Sequence, residues 1–255
     1  MLDFFVGKLG KKTKKVKVKG CLFRKIRYRI SGLMPKGHQL YDGPYHGGRA
    51  VYSYYLDSDQ MRVFDGLFRY ENMFINRDNT KVINEARGSF RNGLKHGTWN
   101  FFCKDADRKM RLTVHYVGGK VDGEIVYESE EQDINSRPSH TKLFLSIMNG
   151  LPIGEVVGMV KGNTFRGMLD KLGMPHGAWI SNREDTENGE WQEVEHWNHG
   201  RLESAERNLF TYGRREQMRP YMRNQVNWII ESINQAVLPI VRHGSTGRLM
   251  YVCTA

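Results

Sequence analysis

Cysteine is scarce in this chain of 255 residues, and its three copies, Cys21, Cys103 and Cys253, lie far apart in the sequence. No CxxC pair occurs. An odd number of unclustered cysteines is typical of buried or incidental thiols in a reducing compartment and does not indicate a disulfide framework. The cysteine content therefore predicts a cytoplasmic protein.

Long apolar runs are also missing, and no stretch approaches the roughly 20 apolar residues that a membrane-spanning helix needs. Near the N-terminus, Phe4 and Phe5 precede a group of lysines, whereas a secretory signal peptide begins with its charges. Leu2 occupies the position where myristoylation requires glycine, and no CaaX box ends the chain. The sequence thus predicts no signal peptide and no lipid attachment.

Motifs for catalysis or metal binding are few and incomplete. Residues 242–248 contain an Arg-His-Gly and two glycines, but a phosphate-binding loop needs a strand before it and a helix after it. His196 and His199 are three residues apart, which would point them to opposite faces of a strand. The acidic segment 128–133 lacks EF-hand spacing. We therefore expect no catalytic, cofactor-binding or metal-binding residues, no cofactor, and a protein that is not an enzyme.

What the chain does contain is a recurring pattern of glycine and bulky apolar residues. The clearest copy begins at Gly88, followed by an apolar residue at +2, glycines at +5 and +9, and an aromatic residue at +11. Three more good copies begin at Val114, Leu145 and Gly167, the last with one residue inserted. The residues that define the pattern are Gly88, Phe90, Gly93, Gly97, Trp99, Tyr116, Gly119, Gly123, Gly150, Gly154, Gly173, Gly177, Trp179 and Gly200.

Weaker copies of the pattern begin at Gly43, Gly66 and Glu195, and an eroded one begins at Gly20. Successive copies start 22 to 31 residues apart. An internal repeat of this length indicates an array of small supersecondary units, each of which buries its apolar face only by stacking on its neighbours.

Each unit is predicted to form a β-hairpin. Asparagine and glycine best tolerate the positive φ of a type I′ turn. The segment 112–116 alternates apolar and polar residues, as a half-buried strand does. His96 and His176 occupy the same position of the repeat and are predicted to be structural. The pairs expected at the turns are Gly47-Gly48, Asn92-Gly93, Gly118-Gly119, Asn149-Gly150 and His199-Gly200.

The segment from Phe90 to Trp99 resembles the MORN repeat, and most closely the short variant found in arrays in many bacterial proteins. The segment 172–179 is similar to its second half, and the resemblance covers roughly residues 40–204. It implies a bacterial protein whose antiparallel hairpins stack into one long, curved sheet that serves as a spacer or binding surface. Some bacterial arrays of this family carry an antitoxin-module label, and eukaryotic arrays have been linked to membrane lipids.

Positive charge is concentrated at the N-terminus. Residues 1–40 hold twelve lysines and arginines against one acidic residue, an excess equal to the formal net charge of +11 of the whole chain. Such asymmetry points to an anionic partner. Alternatively, the alternating segment 15–19 guards a sheet edge against pairing with other chains, and we favour this interpretation. The candidate contacts with an anion or partner are Lys8, Lys11, Lys12, Lys14, Lys15, Lys17 and Lys19.

The chain changes character after about residue 205. Apolar residues in the segment 216–239 recur near helical spacing, and Pro239 and Gly244 supply a stop. A terminal hairpin exposes apolar surface and an unpaired edge, so this helix is predicted to cap the array. A partner-binding helix is the alternative.

Together these features predict a mainly β protein, an elongated antiparallel sheet of stacked β-hairpin repeats with a C-terminal capping α-helix. The expected divisions are a basic segment (1–19), the repeat array (20–204), and the helix and cap (205–255). The expected function is that of a non-catalytic protein-interaction surface or scaffold, antitoxin-like in one version. The alternative is an adaptor that binds anionic membrane lipid or nucleic acid through the basic N-terminus. A protein is the favoured partner, nucleic acid the least favoured, and no small-molecule substrate is implied.

Overall fold

The computed structural model describes residues 34, 36–76, 79–132, 138–160, 162–185, 189–209 and 214–217. Within these ranges there are fourteen β-strands and no helix. The strands are β1 (Gln39–Tyr45), β2 (Gly48–Leu56), β3 (Arg62–Ile75), β4 (Lys81–Arg91), β5 (Leu94–Lys104), β6 (Arg108–Val117), β7 (Lys120–Glu131), β8 (Ser139–Met148), β9 (Leu151–Val160), β10 (Asn163–Leu169), β11 (Pro175–Asp185), β12 (Gly189–Asn198), β13 (Arg201–Leu209) and β14 (Arg214–Gln217).

All fourteen strands form one sheet in the order of the sequence, and each is antiparallel to its neighbours. The mainly β, hairpin-built fold expected from the sequence is confirmed. The sheet continues through β14, past residue 204. The basic segment 1–19 lies outside the described residues. The helix expected over 216–239 does not begin where predicted, because Glu216 and Gln217 pair with Arg207 and Glu206 of β13 as part of strand β14. Residues 218–239 lie outside the described residues.

Two-residue turns with positive φ close five hairpins. They are His46-Gly47, Asn92-Gly93, Gly118-Gly119, Asn149-Gly150 and His199-Gly200. Four of these are the expected pairs, but the first hairpin turns one residue earlier than expected. Tyr45 pairs with Gly48, so Gly48 already belongs to β2 and His46 takes the first turn position with a φ of 41°. Histidine is among the residues that tolerate this left-handed conformation better than most.

The weak copy at Gly66 does not turn where the pattern would place a glycine. Glu71 stands at that position, and β3 continues to Ile75. In the good copies, the glycine at +9 adopts positive φ, as at Gly97 and Gly177, beside an irregularity in the strand register. These β-bulges bend each returning strand and increase its twist.

The core lies on one face of the sheet, which we call the core face. Eight bulky residues at the repeat positions are all buried there, in one continuous apolar cluster. They are Phe90, Trp99, Tyr116, Ile125, Ile147, Leu169, Trp179 and Trp197. Because side chains alternate between the two faces of a strand, the intervening residues form the opposite, outer face.

Candidate interaction surface

Residues on the outer face line up from strand to strand because each pairs directly with the next. One such row crosses β3 to β12 without a break. It consists of Arg69, Arg87, Asn100, Thr113, Val126, Phe144, Val157, Arg166, Ile180 and Val194.

This row changes character halfway across the sheet. From β3 to β6 it is polar or charged, whereas from β7 to β12 it is apolar except for Arg166. We call Val126, Phe144, Val157, Ile180 and Val194 the apolar row. Val157 is 40% exposed, and the other four side chains are half-buried although they face away from the core. An ordered stripe of apolar side chains outside the core is typical of an interaction surface.

A second row runs beside the apolar row and is polar apart from Met159. Its members, the polar row, are Glu128, Lys142, Met159, Thr164, Asn182 and Gln192. Asn182 Nδ2 donates to Thr164 Oγ1 (3.2 Å), and Gln192 Nε2 donates to Asn182 Oδ1 (3.0 Å). Lys142 Nζ lies 3.5 Å from Glu128 Oε1. These contacts hold the polar row in place on the sheet.

Between and over the two rows lies an open groove with a volume of about 540 Å³. It is lined by both rows except Val194, and between them by Tyr127, Leu143, Gly158 and Phe165. We call the two rows the walls of the groove. The groove is mostly apolar, with charged groups at Glu128, Lys142 and Arg166. We refer to it as the outer groove.

Arg166 is the unusual member of the groove. It is exposed on β10 between Val157 and Ile180, and none of the described residues forms an ion pair or hydrogen bond with its guanidinium. Glu155 lies diagonally across from it in the strand register but makes no ion pair with it. A charge inside an apolar row that has no partner among the described residues is a feature that a ligand can satisfy.

A buried lysine forms a second unusual site, on the core face. Lys95 is 3% exposed, and its Nζ lies 5.1 Å from the ring centre of Trp99, 5.6 Å from Phe101 and 5.2 Å from Tyr116. The ammonium makes no hydrogen bond with any residue that the structure describes, and burial lowers the pKa of Lys95 to about 8. The aromatic faces supply cation–π attraction. A side chain this enclosed does not offer a substrate-accessible nucleophile.

A small polar cluster joins two hairpin turns. The rings of His176 and His199 stack 4.5 Å apart, and His199 Nδ1 lies 2.6 Å from Asp170 Oδ2. Asp170 also accepts hydrogen bonds from the backbone amides of Leu172 and Met174. The contact with His199, followed by these amides, lowers the pKa of Asp170 to about 2. The cluster links the hairpins, and the described residues contain no group of His, Cys, Asp and Glu arranged to hold a metal ion.

Charged residues are also buried on the core face near the last strands. Glu193 Oε1 accepts hydrogen bonds from Trp191 Nε1 (2.8 Å) and Arg207 Nη2 (3.1 Å). Glu195 Oε2 accepts one from Trp197 Nε1 (2.9 Å), and burial raises the pKa of Glu195. Each carboxylate thus accepts a hydrogen bond from a neighbouring indole, and Glu193 is also paired with Arg207, which offsets part of the cost of burying these charges.

The seven lysines predicted as contacts, Lys8 to Lys19, lie outside the described residues. The residues that define the repeat lie in turns, bulges and the core, not in the outer groove. The groove itself was missed, although the sequence contains a signal for it. Apolar residues occur in adjacent pairs, such as Val156-Val157, where strict alternation would place a polar residue outside.

Cys103 is buried. In the part of the chain that the structure describes, no helix is both long and apolar enough to cross a membrane. Comparison with protein-family models, curated proteins and solved structures finds no match.

Proposed function

We propose that this protein is a non-catalytic interaction protein that binds another protein in its outer groove. The observation that carries the proposal is the apolar row, which places half-buried and exposed apolar side chains side by side across β7 to β12. Their exposure costs free energy that a bound partner would recover by covering them. The sheet beneath is suited to a scaffold because hydrogen bonds join every neighbouring strand.

The resemblance of residues 90–99 to the MORN repeat supports the same proposal. An antitoxin-like protein, whose groove covers part of a toxic partner, is one form of this function. The cytoplasmic location and bacterial source remain predictions, and reduced Cys103 in protein isolated under thiol-blocking conditions would support the former.

The proposal is tested by placing a photo-crosslinking amino acid at Val157 and expressing the full chain in its native host. We expect one discrete cross-linked protein after illumination. Asn100 is the matched control, because it is exposed on the same row but outside the groove. A cross-linking pattern at Val157 that is no different from that at Asn100 would contradict the proposal.

A second candidate function rests on the N-terminal charge. The excess of basic residues in 1–40 favours an adaptor that binds anionic lipid or nucleic acid through Lys8 to Lys19. Such binding should weaken steeply with salt, because it replaces counterions around phosphates. Binding in the apolar groove should not.

A further inference from the structure

We infer that the outer groove binds an amphipathic α-helix of a partner protein, with a carboxylate of that helix paired to Arg166. This inference rests on the proposed function and names the chemistry of the partner. It follows from the spacing of the groove, the difference between its two walls, and the unpaired guanidinium.

The groove runs across the strands, so its repeat is the distance between neighbouring strands, about 4.8 Å. One turn of an α-helix rises about 5.4 Å, so successive turns of a helix lying along the groove meet successive strands. Side chains on one face of an extended peptide are about 6.7 Å apart, a spacing that differs more from the distance between neighbouring strands. The row from Val126 to Val194 spans about 24 Å, the length of a helix of roughly 16 residues.

The two walls of the groove require a ligand with two different sides. The apolar row packs against the apolar stripe of an amphipathic helix, and the polar row contacts the polar residues that flank that stripe. Asn182 and Gln192 are hydrogen-bonded within the polar row, and Lys142 is paired with Glu128. The polar groups of that wall therefore already have partners within the protein. Arg166 is the charge that remains to select the ligand.

Arg166 specifies the sign and position of the ligand's charge. A guanidinium can form two parallel hydrogen bonds with a carboxylate, and apolar neighbours shield such a pair from water. Val157 and Ile180 flank Arg166 in the row. The ligand helix should therefore carry Asp or Glu with apolar residues three or four positions before and after it. A membrane surface fits less well, because an anionic bilayer would bring many negative charges against Glu128 and Glu155, whereas the helix needs only one carboxylate, placed at Arg166.

The test selects random 16-residue peptides displayed on phage against the immobilised full-length protein. We expect selected peptides to share an acidic residue between apolar residues at helical spacing and to gain helical circular dichroism when bound. Arg166→Gln should weaken their affinity about tenfold or more, the usual size of a lost charged hydrogen bond. Arg166→Glu should abolish binding, and a peptide with Lys in place of its acid should restore it. Arg87→Gln is the matched control, on the same row outside the groove.

Other results would overturn the inference in distinguishable ways. One such result is that the selected peptides lose binding to the Val157→Asp variant and yet lack an acidic residue or stay non-helical. That result would support the proposed function and reject the helical acidic partner. If no selected peptide is sensitive to Val157→Asp, both are rejected. If wild type is a dimer that Val157→Asp separates, the occupant is a second copy. Arg166-dependent binding to anionic phosphatidylserine vesicles, with no peptide selected, would replace the protein partner by a membrane surface.

Discussion

The indole ring of Trp99 lies directly over Gly88, so that any side chain at Gly88 would overlap the ring. Trp99 Nε1 donates a hydrogen bond to the backbone oxygen of Ser89 (2.9 Å), which holds the ring in this position. Trp179 covers Gly167 in the same way and bonds to the backbone oxygen of Met168. Two repeat copies lie between those that begin at Gly88 and Gly167. In these copies the first residue is larger than glycine and the residue at +11 is smaller than tryptophan: Val114 with Ile125, and Leu145 with Val156. In these four copies, the larger the first residue is, the smaller is the residue at +11.

This relationship predicts strong coupling between positions 88 and 99. Gly88→Val should destabilise the protein by about 1–3 kcal/mol or more through overpacking. Trp99→Ile should destabilise it by roughly 3 kcal/mol through lost burial and a cavity. The double variant, which copies the Val114 and Ile125 pair, should be more stable than the sum of the single changes predicts by at least about 1 kcal/mol. Urea denaturation measures all three, and additive effects would show that the positions are independent.

Lys95 is predicted to lower stability at neutral pH. Other good copies have Val121, Pro152 or Pro175 at this position, and the enclosed lysine ammonium has no hydrogen bond within the described part of the chain. Lys95→Met keeps the aliphatic stem and removes the charge, so it should raise the free energy of unfolding at pH 7. Lys120→Met is the control, because Lys120 is exposed at the start of β7.

The same site predicts a pH dependence whose sign is fixed by the lowered pKa of Lys95, about 8 against 10.5 when unfolded. Between pH 8 and pH 10.5 the unfolded chain binds more protons than the folded protein does. The free energy of unfolding is therefore highest above pH 10.5, where Lys95 is neutral in both states, and it falls as the pH drops to 8. The change is at most about 3 kcal/mol. Urea denaturation at pH 8 and pH 10.5 should show this change in the free energy of unfolding for wild type but not for Lys95→Met. The same pH dependence in both proteins would refute the burial of a charged lysine.

The contact between Asp170 and His199 predicts a loss of stability in acid. The pKa of Asp170 is about 2 in the folded protein and 3.8 ordinarily. The stability it contributes is thus present above about pH 4 and disappears as pH falls towards 2. Asp170→Asn should remove this part of the acid sensitivity. Carboxyl NMR titration reads the pKa directly, and a value near 3.8 would contradict the contact. His199→Gln should move it upwards.

The basic N-terminus is tested by changing Lys11, Lys12, Lys14 and Lys15 to Gln together. If these residues bind an anionic partner, wild type should be retained on heparin or anionic vesicles at low salt, and the variant should not. The Debye length is about 10 Å at 0.1 M salt, so wild-type retention should fade above that concentration. If they guard a sheet edge, wild type should show no retention and the variant should self-associate, as light scattering would detect. We expect the second result.

The hairpins could be predicted because their requirements are local. A type I′ turn needs two residues that tolerate positive φ. Asn92-Gly93 meets this requirement, so two adjacent residues are enough to predict the turn. The first turn was misplaced because Gly47 and Gly48 both satisfy the same rule, and only pairing of Tyr45 with Gly48 decides between them.

The mainly β class, the repeat and most of the turns follow from the sequence alone, since these depend on residues close together in the chain. The fold is needed to show that Val157, Arg166 and Ile180 share one row and that Lys95 lies among three aromatic rings. These placements depend on the β-bulges, which shift the pairing register within several hairpins. The side chain opposite a given residue therefore depends on the accumulated register of neighbouring strands, which no local pattern contains.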